Sequence, residues 1–275
     1  MPISENTLAP ENTLAPENKF ALKINPTLEL TGVAVTEQHA CVVIDDFLLN
    51  PDDVVAYASA RAADFTMPER AYPGVVLPVA NNLITPLNRF IQTEMSRLFS
   101  FCRGGIEFHT QLSMTTLQPR DFSWIQRLCH TDPKLADGRC NYAALLYLFH
   151  DPALGGTGFF RWKNPEFWAE MSTRQRDDPT TGLDELQQDY AMFREPPRYM
   201  TQSNDAADLI DTVPARFNRL VFYSGDLPHN ASIEHPELLL SDPAQGRLTL
   251  NCFASVLPRK PLTQPRLAQP GLTQS

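Results

Sequence analysis

Cysteine is scarce in this sequence, and its pattern argues against a disulfide-stapled fold. The chain of 275 residues has five cysteines, an odd number, and no two of them form a C-x-x-C pair. A disulfide framework needs an even set of cysteines and an oxidising compartment. We therefore expect reduced thiols and a cytoplasmic protein.

Long apolar runs and an excess of positive charge are also missing. No stretch approaches the roughly 20 apolar residues that a membrane-spanning helix needs, and the N-terminus lacks the basic and apolar regions of a secretory signal. The formal net charge is −9, from 23 basic and 32 acidic residues. This balance argues against a nucleic acid or an anionic membrane as the main partner. We expect a small-molecule or peptide partner, while the oligomeric state stays unknown from the sequence.

The composition is that of an ordinary folded chain with two tails. Hydrophobic residues make up 43% and charged residues 20% of the sequence, which is typical of a globular protein with a substantial core. Residues 1–19 contain a tandem ENTLAP repeat and residues 261–275 are rich in Pro and Gln, so both segments are predicted to be flexible or disordered. A single domain is predicted over about residues 20–260.

Hydrophobic periodicity predicts helices first and strands afterwards. A β-rich run at 41–48 precedes helical support over about 50–100, where one helix begins after Asn50 and a second covers 84–99. From residue 106 the pattern changes to short strands separated by turn residues. We expect a mainly β fold, a double-stranded β-helix (jelly roll, cupin-like) over about 106–257. An aromatic insertion at about 164–212 is predicted to form a lid over a substrate.

Two segments carry candidate metal ligands. In the extended sequence His130-Thr131-Asp132, the imidazole and the carboxylate point to the same face and can reach one ion. Further along, a hydrophobic strand runs into a Gly-Asp-x-Pro turn that ends in His229. Two histidines and one carboxylate are typical of non-haem Fe(II) oxygenases, which leave coordination positions open. Zn²⁺ also binds such a set, usually in hydrolytic enzymes. His235 is a weaker rival for His229.

A third segment favours iron over zinc. Alternation along the strand RLTLNCFAS places Arg247, Thr249 and Asn251 on one face, opposite Leu248 and Leu250. An arginine among apolar strand residues is costly to bury without an anion, and its guanidinium pairs with both oxygens of a carboxylate. Thr249 is a further donor, and Tyr147 in the run LLYLF is another. A dicarboxylate cosubstrate would use this second site, whereas a hydrolase has no need of it.

The order of these motifs resembles that of the Fe(II)- and 2-oxoglutarate-dependent oxygenases. The motifs are HTD at 130–132, DGRC at 137–140, Gly155-Gly156, the Gly-Asp-x-x-His turn that ends at 229, and Arg247-x-Thr249. The stretch HTDPKLADGRC looks like the prolyl-hydroxylase branch of this superfamily. GGTGFFRW after HTD is similar to an uncharacterised bacterial family known only as a domain of unknown function. The resemblance covers about residues 40–257.

The resemblance implies a role for each matching residue. His130, Asp132 and His229 would bind Fe(II) and carry the catalysis, and Arg247 would bind the distal carboxylate of 2-oxoglutarate. Thr249, Tyr147 and Asn141 are candidate contacts of the same cosubstrate, and O₂ is the oxidant. Hydroxylation of an unactivated C–H, on an amino-acid or peptide side chain, is the expected reaction. Two other classes remain open: a cupin-like metal-dependent hydrolase or isomerase, and a non-catalytic jelly-roll binding protein.

Overall fold

The computed structural model describes residues 21–37, 39–68, 72–132, 137–177 and 183–258, with the backbone alone for 172–177 and 183–185. Both predicted tails, 1–19 and 261–275, lie outside these ranges. None of the helices in the described ranges is long and apolar enough to cross a membrane. All five cysteines are described, and each is a free thiol.

The described chain forms two antiparallel β-sheets and few helices. The larger sheet has seven strands in the order β1-β2-β8-β5-β10-β4-β3, and the smaller has three in the order β7-β6-β9. The strands are β1 (Thr31–Ala34), β2 (Ala40–Ile44), β3 (Gly74–Pro78), β4 (Glu107–Thr115), β5 (Cys140–Tyr147), β6 (Gly156–Trp162), β7 (Ala207–Val213), β8 (Leu220–Ser224), β9 (His229–Ser232) and β10 (Arg247–Val256). The mainly β character expected from the sequence is therefore confirmed.

The central strands of the larger sheet are buried on both faces. On β5, Ala144 and Leu146 belong to a core that includes residues of the N-terminal helices, while Ala143 and Tyr147 belong to a second core shared with the smaller sheet. This follows from the two-residue period of a strand. We call the face that carries Ala143 and Tyr147 the inner face, because it is turned toward the smaller sheet.

The N-terminal helices cover the opposite face of the larger sheet. They are α1 (Pro51–Ala60), α2 (Thr85–Phe90) and α3 (Ser96–Leu98), and a π-helical turn at Ile91–Met95 joins the last two. Pro51 in the first turn of α1, with Asp52 and Asp53 beside it, favours helix initiation there. The helical run near the predicted range 84–99 buries Leu87 and Met95, as the periodicity predicts. Leu98 departs from the prediction, since it is 56% exposed.

The segment predicted as an insertion has regular structure. It contains α4 (Pro165–Asp177) and α5 (Leu183–Asp189), and its last part, from Ala207 onward, is strand β7 of the smaller sheet. Its aromatic residues pack with Trp124 and Leu128, just upstream of His130, in a third hydrophobic cluster. The ring centres of Trp162 on β6 and Trp168 on α4 lie 5.3 Å apart. The segment is thus fixed against the smaller sheet and the chain that leads to His130, while its role as a lid stays a prediction.

Candidate metal and anion site

The two candidate histidines are held together by their backbones. His229 is the first residue of β9, and His130 forms an isolated antiparallel bridge with it. The His130 amide donates to the His229 carbonyl at 3.0 Å, and the His229 amide donates to the His130 carbonyl at 2.9 Å. Directly opposed residues in antiparallel pairs present their side chains on the same face. The ring centres accordingly lie 4.5 Å apart.

The third candidate ligand is fixed by the turn that follows β8. The Asp132 amide donates to the Gly225 carbonyl at 2.8 Å, and the Gly225 amide donates to the Asn141 carbonyl at 2.8 Å. A β-carbon on Gly225 would overlap the Asp132 carboxylate, with its Cγ 2.9 Å away. The glycine of the Gly-Asp-x-Pro turn therefore provides the space in which this carboxylate lies.

These three residues form a cluster that suits a single metal ion. His130, Asp132 and His229 each offer one ligand atom, and these atoms all lie within 4.8 Å of one another. Two atoms bound to one ion at about 2.0–2.2 Å are at most about 4.4 Å apart, so a small side-chain rotation at most would close the site. Asp132 is 9% and His229 5% exposed, whereas His130 is solvent-exposed. The cluster is thus open on the side of His130.

The surroundings hold both imidazoles in the form that binds a metal. The Nδ1 atom of His229 lies 2.7 Å from the Leu227 carbonyl oxygen. Because a carbonyl only accepts, Nδ1 carries the proton and Nε2 keeps its lone pair. Burial lowers the pKa of His229 to about 4. Burial and then the neighbouring His229 lower the pKa of His130 to about 4. Solvent on its exposed side weakens the burial effect at His130, but the direction is the same for both rings.

Arg247 occupies a buried position at the start of β10. It is 3% exposed, and its Nε donates to the Leu154 carbonyl at 3.0 Å. One terminal nitrogen, Nη2, donates to the Gly156 carbonyl at 2.9 Å, and the other, Nη1, donates to the Thr115 hydroxyl at 3.2 Å. No acidic side chain among the described residues forms an ion pair with this guanidinium. Because a buried cation without a counter-charge is costly, the position suits an anion.

Two of the three candidate contacts of the cosubstrate lie beside Arg247 on the inner face. Tyr147 and Thr249 are directly paired residues of β5 and β10, and both are fully buried. The Tyr147 hydroxyl lies 2.7 Å from the hydroxyl of Thr157. Burial raises the pKa of Tyr147, although Arg247 acts in the opposite direction. The phenol is therefore neutral and can donate a hydrogen bond.

Asn141, the third candidate contact of the cosubstrate, lies away from Arg247. It is near the opposite end of β5 from Tyr147, where its side-chain oxygen accepts from the Ser255 hydroxyl at 2.7 Å. Its backbone carbonyl supports Gly225, as described above. The structure thus brings Asn141 close to the turn behind Asp132 and does not bring it to Arg247. The rival histidine, His235, is exposed and pairs with Glu237 at 3.0 Å, outside the cluster.

Tyr223 connects the two parts of the site, although its sequence pattern indicates only packing. Its ring centre lies 4.8 Å from that of His229 and 5.1 Å from that of Phe159. Burial raises the pKa of Tyr223 well above its usual value; Asp132 adds to the rise and Arg247 opposes it. One buried side chain thus lies within the electrostatic reach of both the metal-ligand cluster and the arginine.

Fold and site together define an antiparallel two-sheet protein with a His-Asp-His cluster at the start of β9 and a buried arginine at the start of β10. The chain belongs to a family of unknown function (DUF6445), whose model matches residues 26–254. No curated protein matches the chain. The resemblance to an uncharacterised family, based on HTD and GGTGFFRW, agrees with this match.

Several solved structures resemble the chain at low identity. HygX from Streptomyces hygroscopicus, with nickel, 2-oxoglutarate and hygromycin B bound, is 11% identical over 78% of this chain and 81% of its own, with a TM-score of 0.40. A Pseudomonas putida prolyl-4-hydroxylase is 13% identical over 81% and 95%, with a TM-score of 0.39. EvdO2 from Micromonospora carbonacea var. aurantiaca, complexed with 2-oxoglutarate, is 9% identical over 83% and 94%, with a TM-score of 0.39.

Proposed function

We propose that this protein is an Fe(II)- and 2-oxoglutarate-dependent oxygenase that hydroxylates a C–H bond of an amino-acid or peptide side chain. The observation that carries the proposal is the pairing of an open His-Asp-His cluster with Arg247, a buried arginine that lacks an acidic partner among the described residues. In this proposal the two facing sheets are the halves of a double-stranded β-helix, and the inner face carries the site.

The hydrogen bonds of Arg247 leave room for a carboxylate. A guanidinium has five N–H donors. The contacts with Leu154, Gly156 and Thr115 engage Nε and one N–H on each terminal nitrogen. Among the described residues no partner engages the other N–H of either terminal nitrogen, and such a pair is suited to the two oxygens of a carboxylate. Tyr147 would add a neutral hydroxyl donor around the same anion. The Thr249 hydroxyl, which donates to the Ser113 carbonyl at 3.4 Å, would have to turn away from it to do the same.

His130, Asp132 and His229 would hold the metal through Nε2 of His229, a nitrogen of His130 and a carboxylate oxygen of Asp132. Fe(II) bound there would supply the activation of O₂, coupled to the oxidative decarboxylation of 2-oxoglutarate to succinate and CO₂. The protein's own part is to keep both imidazoles neutral, to fix the tautomer of His229 through Leu227, and to orient the cosubstrate through Arg247. Because a carboxylate is present at position 132, hydroxylation is favoured over halogenation, which needs space for a halide beside the metal.

The substrate side of the site is the exposed side of His130. The other two ligands are buried against the smaller sheet and the Gly225 turn, so a substrate would reach the metal past His130. The resemblance of HTDPKLADGRC to the prolyl-hydroxylase branch supports an amino-acid or peptide side chain as the target. A nucleic acid is disfavoured by the net charge of −9.

Succinate formation would test this function. Fe(II)-loaded protein is mixed with 2-oxoglutarate, O₂ and a panel of free amino acids and short peptides. We expect a panel member to raise succinate release and to yield a product that is heavier by one oxygen atom. His130→Ala and Asp132→Ala should abolish both signals, while the control His235→Ala retains them. Succinate release that persists in His130→Ala, or its absence across the panel, would contradict the proposal.

The same experiment separates the competing classes. A cupin-like metal-dependent hydrolase or isomerase would convert a substrate without consuming O₂ or 2-oxoglutarate, and Arg247→Ala would leave its activity intact. A non-catalytic jelly-roll binding protein would bind no metal at His130. No contact of the described residues favours either class, since neither explains a buried arginine that has no acidic partner within the described ranges.

A further inference from the structure

The chain that precedes β3 lies against β4 at the Arg247 site. Gly74 is paired with Thr115, and a β-carbon at Gly74 would collide with the backbone carbonyl of Met114. The amides of Thr116 and Leu117 both donate to the Pro73 carbonyl, at 3.1 and 3.2 Å. Such a close approach needs a residue without a side chain. Its consequence is that Tyr72, two residues before Gly74, reaches the side chain of Thr115.

Tyr72 is therefore linked to Arg247 through one hydroxyl group. The Tyr72 hydroxyl lies 3.1 Å from the Thr115 Oγ1, and this same oxygen accepts from Arg247 Nη1 at 3.2 Å. Thr115 is fully buried, and Tyr72 is half-buried. Since Thr115 Oγ1 accepts from the arginine, its own proton is free for the oxygen of Tyr72, whose proton can then be donated onward. The alternative direction, with Tyr72 donating to Thr115, also fixes the threonine rotamer.

Whichever of the two hydroxyl groups donates, the bond between Tyr72 and Thr115 helps to fix the orientation of the Arg247 guanidinium. The Leu154 and Gly156 carbonyls hold Nε and Nη2, whereas Thr115 is the observed partner of Nη1. Without the phenol hydroxyl, the Thr115 hydroxyl loses one of its two partners, and its rotamer is held only by the bond from Arg247. The Nη1 end of the fork, which would face the cosubstrate carboxylate, would then be free to turn. A buried network of hydrogen bonds fixes all of its side chains only when every bond in it is formed.

We propose that Tyr72 is a positioning residue of the cosubstrate pocket, which acts through Thr115 on Arg247 and sets the preference for 2-oxo acids that carry a second carboxylate. The proposal rests on the proposed function, because it assigns the Arg247 fork to the distal carboxylate of 2-oxoglutarate. It adds the chain before β3, on which no sequence motif falls, to the wall of that pocket.

Two ligands that differ only at the distal end provide the test. Full-length protein loaded with Fe(II) under anaerobic conditions is titrated calorimetrically with 2-oxoglutarate and with 2-oxobutyrate, which lacks the distal carboxylate. In Tyr72→Phe we expect the Kd for 2-oxoglutarate to rise about three- to tenfold, the usual effect of losing a neutral hydrogen bond. The Kd values for 2-oxobutyrate and for Fe(II) should stay within about twofold of the wild-type values, because neither ligand meets Arg247.

A matched control is Tyr199→Phe. Its hydroxyl donates to the Leu117 carbonyl at 2.8 Å, so the variant loses a phenol hydroxyl nearby without altering Thr115, and its ligand preference should be unchanged. Should Tyr72→Phe fold poorly, Thr115→Val and Thr115→Ser form a second pair, in which only the valine variant should lose the preference. Wild-type preference in these variants, or an equal loss for both 2-oxo acids, would overturn the role of Tyr72. If the wild-type protein binds no 2-oxoglutarate, the proposed function itself fails.

Discussion

Gly225 lies directly against the carboxylate of Asp132. A β-carbon on Gly225 would be 2.7 Å from Asp132 Cβ and 2.9 Å from its Cγ, closer than two such atoms can approach. The same glycine accepts a hydrogen bond from the Asp132 amide and donates one to the Asn141 carbonyl. The turn after β8 therefore supplies His229 to the metal-ligand cluster and also shapes the space for its carboxylate.

Replacing this glycine should weaken metal binding. In Gly225→Ala the added methyl group must displace the Asp132 carboxylate, so we expect a loss of roughly 10- to 100-fold in Fe(II) affinity, as for changes that misorient a ligand. Anaerobic competition with a chelating dye measures it. Gly104→Ala is the matched control, because nothing lies within 4 Å of a β-carbon there. Wild-type affinity in Gly225→Ala would show that Asp132 does not bind the metal.

Arg247→Lys should weaken 2-oxoglutarate binding without abolishing metal binding. Lysine keeps the positive charge but cannot offer two parallel N–H donors to one carboxylate. We expect a loss of about 2–3 kcal/mol, or roughly 100-fold in Kd, for 2-oxoglutarate. Calorimetric titration of the Fe(II)-loaded protein gives this number. Arg139→Lys is the control, because Arg139 is paired with Asp137 and Glu107. This variant should bind 2-oxoglutarate like the wild type. An equal loss of affinity in both variants would argue against a specific role for Arg247.

Asn218 should be a strong determinant of stability. It has a positive φ of 63° and is 6% exposed. Its side-chain oxygen accepts from the Leu48 amide at 2.9 Å, and its side-chain nitrogen donates to the Leu48 carbonyl at 2.8 Å. Asn218→Ala loses both bonds and places a β-carbon in the left-handed region, so we expect a loss of about 3 kcal/mol in the free energy of unfolding.

Urea unfolding of two variants separates these contributions. Asn218→Gly also loses both hydrogen bonds but adopts a positive φ without strain. It should therefore be more stable than Asn218→Ala by about 1 kcal/mol. Equal stability of the two variants would mean that the backbone conformation contributes nothing at this position.

Asp45 should make the protein more stable at neutral than at acid pH. The hydrogen bond from Arg219 is the main cause of the lowered pKa of Asp45, with Nε at 2.6 Å and Nη2 at 3.0 Å. A pKa that is lower in the folded state gives stability above the unfolded value of about 3.9, which is lost as the pH falls through the folded value. Asp45→Asn should be less stable than wild type at pH 7, and the difference should vanish in acid. Urea midpoints that differ equally at every pH would contradict this linkage.

Much of the fold follows from the sequence because long periodic runs dominate it. The alternation in 106–117, 141–149 and 246–256 predicts β4, β5 and β10, which lie next to one another in the larger sheet with β10 in the middle of the three. Strands β7 and β9 escape detection for a physical reason. The residues of β9 are only His229–Ser232, and β7 is half-exposed along most of its length, so neither has enough apolar residues to show a period.

The site, too, has a part that the sequence predicts and a part that it does not. The spacing in His130-Thr131-Asp132 and the turn before His229 suffice to predict ligands that share one ion, and the structure places their side chains together. The surroundings of Arg247 could not be predicted, because only the pairing of β3, β4 and β10 brings Thr115 to Arg247 and Tyr72 to Thr115. Asn141 is a predicted contact of the cosubstrate, but the register of β5 against β10 places it at the other end of the strand from Tyr147. Its contact with a cosubstrate stays a prediction.

We expect iron and 2-oxoglutarate to bind together at one site, and an anaerobic visible spectrum detects this binding. 2-Oxoglutarate is added to the Fe(II)-loaded protein in the absence of O₂, and the charge-transfer absorption of an iron-bound 2-oxo acid is recorded. We predict a band that saturates at one 2-oxoglutarate per protein, is lost in His130→Ala, and is retained in the control His235→Ala. If no band forms in the wild-type protein, or if the band persists in His130→Ala, the chain does not use His130, Asp132 and His229 in this way.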